Sequence, residues 1–286
     1  MRASSRAPPE TVPELPETET IARDLHATLR GRRIVEVTVR RADVLREVDA
    51  AELADRLRGA TIERVWRRAK LVVLDLSTTD RLVVQPRFTG ALLLDAGDLP
   101  ERERRYSTLD AALDDGRRLH YRDIRRLGTV ALMRPARFAA YGDALGPEPL
   151  DPAFTPDELA GILRSSRQAV KKVLMDQRRV VGVGNIYANE ALWRAGVQPA
   201  RPARSLTAPE AARLHAAVRA VLAESIAERG TSFRDYVDAS GRRGRFAERL
   251  AAYGRGGQPC QACGRPLVES HAIDGRSTVW CEGCQT

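Results

Sequence analysis

The hydrophobic positions near the start of the chain follow a helical period. Ile21, Leu25 and Leu29 recur at every fourth residue, and acidic residues precede them. This spacing predicts an amphipathic helix over residues 17–30 that ends at Gly31.

Short apolar runs separated by turn residues fill the next hundred positions. Valines at positions 35, 37 and 39 alternate with polar residues, and Asp115-Gly116 is a favourable hairpin turn. A short helix is expected at 51–57. The other apolar runs are 62–66, 71–76, 82–84, 91–94, 118–121 and 129–133. Residues 33–134 therefore predict an antiparallel sandwich or barrel flanked by one or two helices.

The pattern becomes helical after a stretch rich in proline and glycine. Leu145-Gly-Pro-Glu-Pro-Leu150 is typical of a linker. Helices are expected at 156–165, 168–176, 186–195 and 208–229. Thr207 and Glu210 form a capping box for the last of these helices. Residues 239–245 (ASGRRGR) indicate a mobile basic loop.

Charge and composition narrow the class of protein. Of 286 residues, 47 are basic and 38 acidic, and only three of the basic residues are lysines. Residues 152–286 carry a net charge of +7, whereas residues 1–151 carry +2. A basic half of this kind fits a polyanion such as nucleic acid, although a high isoelectric point alone would look the same. No apolar run approaches the roughly 18 residues of a membrane span, and the first residues lack the apolar stretch of a signal peptide. We therefore expect a protein that is not exported and does not bind a membrane.

All four cysteines lie in the last 27 residues. Cys260 and Cys263 form one CxxC pair and Cys281 and Cys284 another, with 17 residues between the pairs. Two such pairs supply four thiolates for tetrahedral zinc, and disulfides or free thiols are the alternative. Asp274-Gly275 lies between them and predicts the turn of a β-hairpin. We therefore expect one structural Zn²⁺ per chain and no organic cofactor.

Four sequence blocks in a fixed order resemble those of a known family. They are PELPETET at 13–20, LGPEPL at 145–150, LMDQRRVVGVGNIYANEALWRAGVQP at 174–199, and the two CxxC pairs. In these blocks the chain resembles the formamidopyrimidine-DNA glycosylase family, of which endonuclease VIII is the sister branch. The resemblance runs from Val12 to the C-terminus.

The resemblance implies an α+β multidomain fold. It comprises an N-terminal antiparallel β-sandwich with flanking helices, a C-terminal helix–two-turn–helix domain and a β-hairpin zinc finger. The expected divisions are an extension at 1–12, a catalytic domain at 13–144, a linker at 145–151, a DNA-binding domain at 152–249 and the finger at 250–286.

The same resemblance implies a bifunctional enzyme that excises an oxidised base and then cuts the strand at the abasic sugar. Pro13 maps to the amine nucleophile and Glu14 to the acid that protonates the sugar ring oxygen. Lys70 maps to a lysine that assists near the sugar phosphate. Arg276 maps to the fingertip arginine that grips the lesion phosphate.

Pro13 is internal in the sequence as given, so its nitrogen would be an unreactive amide. We expect that translation starts at Val12 on a GUG-type codon and that removal of the initiator methionine exposes Pro13. If residues 1–12 are retained, the alternative is a damaged-DNA-binding protein without catalysis. A zinc-ribbon transcription factor would explain the cysteines but not Pro13 and Glu14.

Further residues map to DNA contacts. Phe88 takes the position of one wedge residue, and Arg125 and Leu127 take two positions in a second loop that fills the gap left by the everted base. Contacts to phosphate or strand are implied for four more residues: Tyr106, Arg167, Lys171 and Asn185. The expected partner is damaged double-stranded DNA, bound by a monomer.

Phe88 and Leu127 stand where family members of the purine type usually carry methionine and phenylalanine. Gln85 and Tyr106 replace DNA-contacting histidines. The helical signature favours oxidised purines as substrates, and oxidised pyrimidines remain the alternative.

Overall fold

The computed structural model describes residues 12–286, so almost all of the expected extension at 1–12 lies outside the described residues. Two compact units are present: Val12–Ala144 together with Glu228–Arg245, and Leu145–Ala227 together with Phe246–Thr286. Segment 228–245, which the sequence suggested would belong with the helical domain, thus groups with the N-terminal unit.

The N-terminal unit contains four α-helices, a short 3-10 helix (Ala42–Val44) and nine strands. The helices are α1 (Leu15–Leu29), α2 (Ala50–Leu57), α3 (Glu101–Arg104) and α4 (Pro135–Asp143). The strands are β1 (Ile34–Val39), β2 (Leu45–Arg46), β3 (Ile62–Arg68), β4 (Leu71–Leu76), β5 (Arg81–Gln85), β6 (Gly90–Asp95), β7 (Ser107–Leu113), β8 (Arg118–Asp123) and β9 (Thr129–Met133). The sequence pattern indicated all of these except β2, β7, α3, α4 and the 3-10 helix.

The strands form two sheets, in the orders β1-β7-β8-β6 and β2-β9-β5-β4-β3. Neighbouring strands are antiparallel except β2 and β9, which pair in parallel. One buried core joins the sheets, with Leu74 and Val130 from one, Leu109 and Leu119 from the other, and Leu25 from α1. The predicted α+β fold with an N-terminal sandwich is confirmed.

The alternation expected for the first strand is broken by an irregular register between Ile34 and Glu36. Ile34 and Val37 are buried, whereas Val35 is 50% exposed. An extra residue in one strand of a pair turns the following side chains to the other face. The three valines therefore do not share one face.

The second unit is helical and closes with a short hairpin. Its helices are α5 (Pro156–Arg164), α6 (Val170–Met175), α7 (Asn185–Ala195) and α8 (Ala208–Ala227), and its strands are β10 (Val268–Ser270) and β11 (Thr278–Trp280). The turn between α6 and α7 is closed by Gln177, which donates to the carbonyl of Val183 and accepts from the N–H of Gly182. Within the described residues, no helix combines the length and apolarity needed to span a bilayer.

Candidate active site

The proline–glutamate pair lies at the start of α1. Glu14 caps the helix with an extended backbone, and Pro16 occupies its first turn, where a missing N–H costs nothing. The carboxylate of Glu17 accepts the backbone N–H of Glu14 at 2.8 Å. Pro13 is buried and Glu14 is only 3% exposed. The helix start therefore holds both residues in one conformation.

Segment 228–245 is hydrogen-bonded to the same helix. The second carboxylate oxygen of Glu17 accepts the N–H of Thr231 at 2.7 Å. Arg229 donates to Asp24 on α1 and to Asp238. The buried carboxylate of Asp238 also accepts the N–H groups of Ser240 and Arg242 at 2.9 Å each. The residues expected to form a mobile loop therefore fold around Asp238.

Lys70 lies half-buried in the tight turn between β3 and β4, where Ala69 has a φ of +53°. Arg67 donates to Glu19 on α1 at 2.8 Å and to the carbonyl of Ala69 at 3.1 Å. Burial of Glu19 opposes its ionisation, but Arg67 and then Arg23 outweigh burial and hold its pKa below the ordinary value. This ion pair fastens the turn that carries Lys70 to α1.

The structure brings two of the predicted wedge residues, Phe88 and Arg125, together. The Arg125 guanidinium carbon lies 4.8 Å from the ring centre of Phe88. Leu127 is 41% exposed, and Ile124 in the same loop is 42% exposed, which adds Ile124 as a candidate contact that the sequence did not suggest. In the sequence Ile124 stands between Asp123 and Arg125, and an apolar residue in so charged a loop is the signal that could have marked it as a candidate.

Gly128 ends the second wedge loop (residues 123–128), where the packing leaves no room for a side chain. A Cβ at this position would lie 1.9 Å from the hydroxyl oxygen of Tyr121 and 2.7 Å from the carbonyl oxygen of Gln85. Any side chain would therefore displace the loop that carries Leu127. Gln85 itself is half-buried at the end of β5, and its side chain accepts from Arg87.

Tyr106 lies beside a basic groove of about 740 Å³ in the same unit. The ring is 39% exposed. Four arginines line the groove: Arg40, Arg41, Arg105 and Arg126. This chemistry suits a phosphate backbone.

The three predicted DNA contacts in the helical unit differ in how exposed their side chains are. Arg167 is exposed just before α6, and Asn185 is half-buried as the first residue of α7. Lys171 is fully buried, and its Nζ donates to the carbonyl of Ser277 at 2.7 Å and to Thr278 Oγ1 at 2.9 Å. The amine of Lys171 therefore faces the finger hairpin instead of the protein surface.

Lys172, for which the sequence suggested no role, also contacts the hairpin. Its Nζ lies 2.9 Å from the carboxylate of Asp274. Asp274 and Gly275 both have positive φ angles, as the predicted hairpin turn requires. Arg276 follows directly and is exposed.

The four cysteines form a compact cluster. Their sulfur atoms lie within 4.8 Å of one another, and none of these cysteines is in a disulfide. Two of the separations are 4.0 Å (Cys260 to Cys284) and 3.3 Å (Cys263 to Cys281). A tetrahedron with metal–sulfur bonds of about 2.3 Å has edges of roughly 3.8 Å. The cluster can therefore hold a metal ion.

The surroundings of Cys260 favour a thiolate. Burial raises the pKa of this thiol, but the N–H groups of Ala262 and Cys263 and the indole of Trp193 outweigh burial and lower it to about 6. The buried indole N–H of Trp193 has no oxygen or nitrogen acceptor in the described part of the chain. A sulfur anion is the partner that this N–H would favour.

Comparisons with known proteins match both units. Residues 12–130 match the formamidopyrimidine-DNA glycosylase N-terminal domain, and residues 145–236 match its H2TH domain. A formamidopyrimidine-DNA glycosylase of Xanthomonas campestris pv. campestris is 44% identical over 275 residues, covering 96% of this chain and 100% of the relative. One of Desulfitobacterium hafniense is 40% identical over 276 residues, with the same coverage.

Solved structures match the same family. MutM (Fpg) of Thermus thermophilus is 38% identical, with a TM-score of 0.83 over 96% of this chain and 98% of that one. Lactococcus lactis Fpg in complex with DNA containing N7-benzyl-Fapy-dG is 29% identical, with a TM-score of 0.88 over 96% of this chain and 100% of that one. These matches confirm the resemblance seen in the sequence: the chain belongs to the formamidopyrimidine-DNA glycosylase family and is a DNA glycosylase of base excision repair.

Proposed function

We propose that this enzyme removes oxidised purines, 8-oxoguanine and formamidopyrimidines, and then cleaves the strand as an AP lyase. The observation that carries the proposal is the buried pair of Pro13 and Glu14 at the capped start of α1. Lactococcus lactis Fpg has been solved in complexes with Fapy-dG DNA and with DNA containing an abasic site, which supports the same substrate class here.

In the proposed reaction the nitrogen of Pro13 attacks C1′ of the damaged nucleotide. The N-glycosidic bond breaks, and the base leaves with the bonding electrons and takes up a proton. Glu14 protonates the sugar ring oxygen, so the ring opens and an iminium forms between the Pro13 nitrogen and C1′.

The iminium then acts as an electron sink for strand cleavage. Loss of a proton from C2′ expels the 3′ phosphate, and loss of a proton from C4′ expels the 5′ phosphate. Lys70 assists near the sugar and its phosphate, and Arg276 grips the lesion phosphate during the second elimination.

This chemistry requires a free amine on Pro13. A terminal amine has an ordinary pKa of about 7.7 to 8.0, so a useful fraction is unprotonated at neutral pH. An amide nitrogen has no such lone pair. The working enzyme therefore begins at Pro13, in keeping with a family match that begins at residue 12.

The bound metal of the proposed enzyme is one structural Zn²⁺ held by Cys260, Cys263, Cys281 and Cys284. Four thiolates close the coordination sphere, so the ion shapes the finger and takes no part in the reaction. The finger carries Arg276 directly after its hairpin turn.

The proposed partner is damaged duplex DNA in the bacterial cytoplasm, bound by a monomer. Phe88, Arg125 and Leu127 fill the gap left by the everted nucleotide, and Arg125 bonds the orphaned base. Tyr106, Arg167 and Asn185 contact the DNA strands.

Borohydride trapping tests the proposal on duplexes that contain 8-oxoguanine, thymine glycol or an abasic site. Protein that begins at Pro13 should form a covalent complex on 8-oxoguanine DNA, and one extra residue ahead of Pro13, which turns its nitrogen into an amide, should abolish trapping. Protein that retains residues 1–12 should bind DNA without trapping, and intact-mass measurement of native protein shows which form exists. Faster reaction on thymine glycol would overturn the purine preference, and undiminished trapping by the protein with the extra residue would overturn the role of Pro13.

A further inference from the structure

Glu17 links two parts of the N-terminal unit that are far apart in sequence. Its carboxylate is 1% exposed, and each oxygen accepts one backbone N–H. Oε2 accepts from Glu14 at 2.8 Å, and Oε1 accepts from Thr231 at 2.7 Å. The residue bonded directly to Pro13 and the start of segment 228–245 thus share one side chain.

The contact with the segment leaves no spare room. Gly230 has a φ of +86°, and a Cβ there would lie 2.9 Å from Oε1 of Glu17 and 3.0 Å from the ring of Tyr236. The Tyr236 hydroxyl donates to the carbonyls of Arg229 at 3.1 Å and Glu17 at 3.4 Å. Close-packed contacts of this kind transmit a displacement instead of absorbing it.

The segment itself is suited to contact a polyanion. Its exposed side chains include four arginines: Arg234, Arg242, Arg243 and Arg245. Binding of DNA phosphates by these guanidinium groups would favour one conformation of the segment.

We propose that Glu17 is a positioning residue that couples the conformation of segment 228–245 to the placement of Pro13 and Glu14. The coupling rests on the proposed function, because Pro13 is its target. DNA held by the segment arginines thereby aligns the amine for attack.

Two substitutions break the link from opposite sides. In E17Q the side chain has one acceptor oxygen, so it cannot accept both N–H groups. G230A keeps the Glu17 carboxylate chemically intact and forces the segment and the Glu17 side chain apart, because the added Cβ would lie 2.9 Å from Oε1 and 3.0 Å from Cγ of Glu17. G116A is the matched control, because Gly116 has a φ of +84° and a Cβ added there would have nothing within 4 Å.

Single-turnover trapping on 8-oxoguanine duplex and DNA affinity are measured separately. We expect E17Q and G230A each to slow trapping about tenfold, as a small misplacement of a reacting group does, with Kd unchanged within about twofold. The E17Q/G230A double variant should be no slower than E17Q, since both break one link. G116A should match wild type. Trapping by G230A as fast as by G116A, or additive effects in the double variant, would overturn the coupling.

Limited trypsin digestion tests the link between Glu17 and the segment without relying on the glycosylase reaction. E17Q should be cleaved faster after Arg242 and Arg243 than wild type, while cleavage after the 82%-exposed Arg102 stays the same. Unchanged cleavage of the segment would overturn the link even if wild-type enzyme traps normally. Failure of wild type to trap would instead refute the proposed role of Pro13.

Discussion

The hydroxyl of Thr89 donates to the carboxylate of Asp123 at 2.6 Å and thereby joins the two wedge loops. Asp123 is 1% exposed and also accepts the N–H groups of Arg126 at 3.0 Å and Gly128 at 2.8 Å. The Thr89 oxygen in turn accepts the N–H of Arg125 at 2.9 Å. One buried carboxylate therefore fixes the loops that present Phe88, Arg125 and Leu127.

Replacement of this carboxylate by an amide should destabilise the protein and weaken lesion recognition. D123N puts a donor where N–H and O–H groups already point, so we expect a loss of about 2 to 3 kcal/mol in the free energy of unfolding. Urea unfolding measures the loss, and the excision rate on 8-oxoguanine duplex should fall with it. The control is D43N, because Asp43 forms an exposed ion pair with Arg126 of the same loop, worth about 0 to 1 kcal/mol. Equal stability of D123N and D43N would refute the structural role of Asp123.

Local patterns predicted most of the secondary structure because periodicity is a local property. The period of Ile21, Leu25 and Leu29 located α1. The pattern missed β7, because Ser107, Thr108 and Asp110 leave no continuous apolar run in the sequence, although all three are buried in the structure.

Contacts between residues far apart in the chain could not be predicted from local sequence patterns. Glu17 and Thr231 are 214 residues apart, and neither residue indicates its partner. Lys171 shows the same limit, since a lysine is almost never fully buried and the family resemblance suggested a surface contact. Only the fold shows that the finger hairpin covers its amine.

The N-terminus of α8 should make stability depend on acid pH. Hydrogen bonds from Arg201 and then from Thr207 lower the pKa of Glu210 to about 2. Because the folded pKa lies below the ordinary value of about 4.3, ionised Glu210 stabilises the folded state above that value and stops doing so as pH falls through about 2. E210Q should therefore lose roughly 1 kcal/mol at pH 7, and its deficit should shrink toward pH 2. Thermal unfolding of E210Q and wild type between pH 7 and pH 2 measures this deficit. The control is E63Q, at an exposed site on β3. A deficit that does not change with pH would contradict the ionic origin.

Metal removal should disorganise the finger. Cys260 and Cys281 lie in a small buried cluster with Leu267 and Val279, against which Trp193 packs. Because the energy of metal binding is folding energy at such sites, chelation should change the tryptophan fluorescence of the protein and weaken DNA binding. Elemental analysis should give one zinc per chain in wild type and less in C281S, and Co²⁺-substituted protein should show tetrahedral thiolate absorption. Full DNA affinity after verified metal loss would contradict this prediction.

The salt dependence of DNA binding should separate Lys171 from the arginines that reach phosphate. Each phosphate neutralised by the protein adds about 0.9 to the slope of log Kd against log salt. The amine of Lys171 is buried against Ser277 and Thr278, so K171M should weaken binding by a similar factor at every salt concentration and leave the slope unchanged. R276A should reduce the slope by about 0.9, because Arg276 is exposed at the hairpin turn. R102A, at an exposed site on α3, serves as the control and should change neither quantity. A slope that falls in K171M as much as in R276A would show that Lys171 contacts phosphate after all.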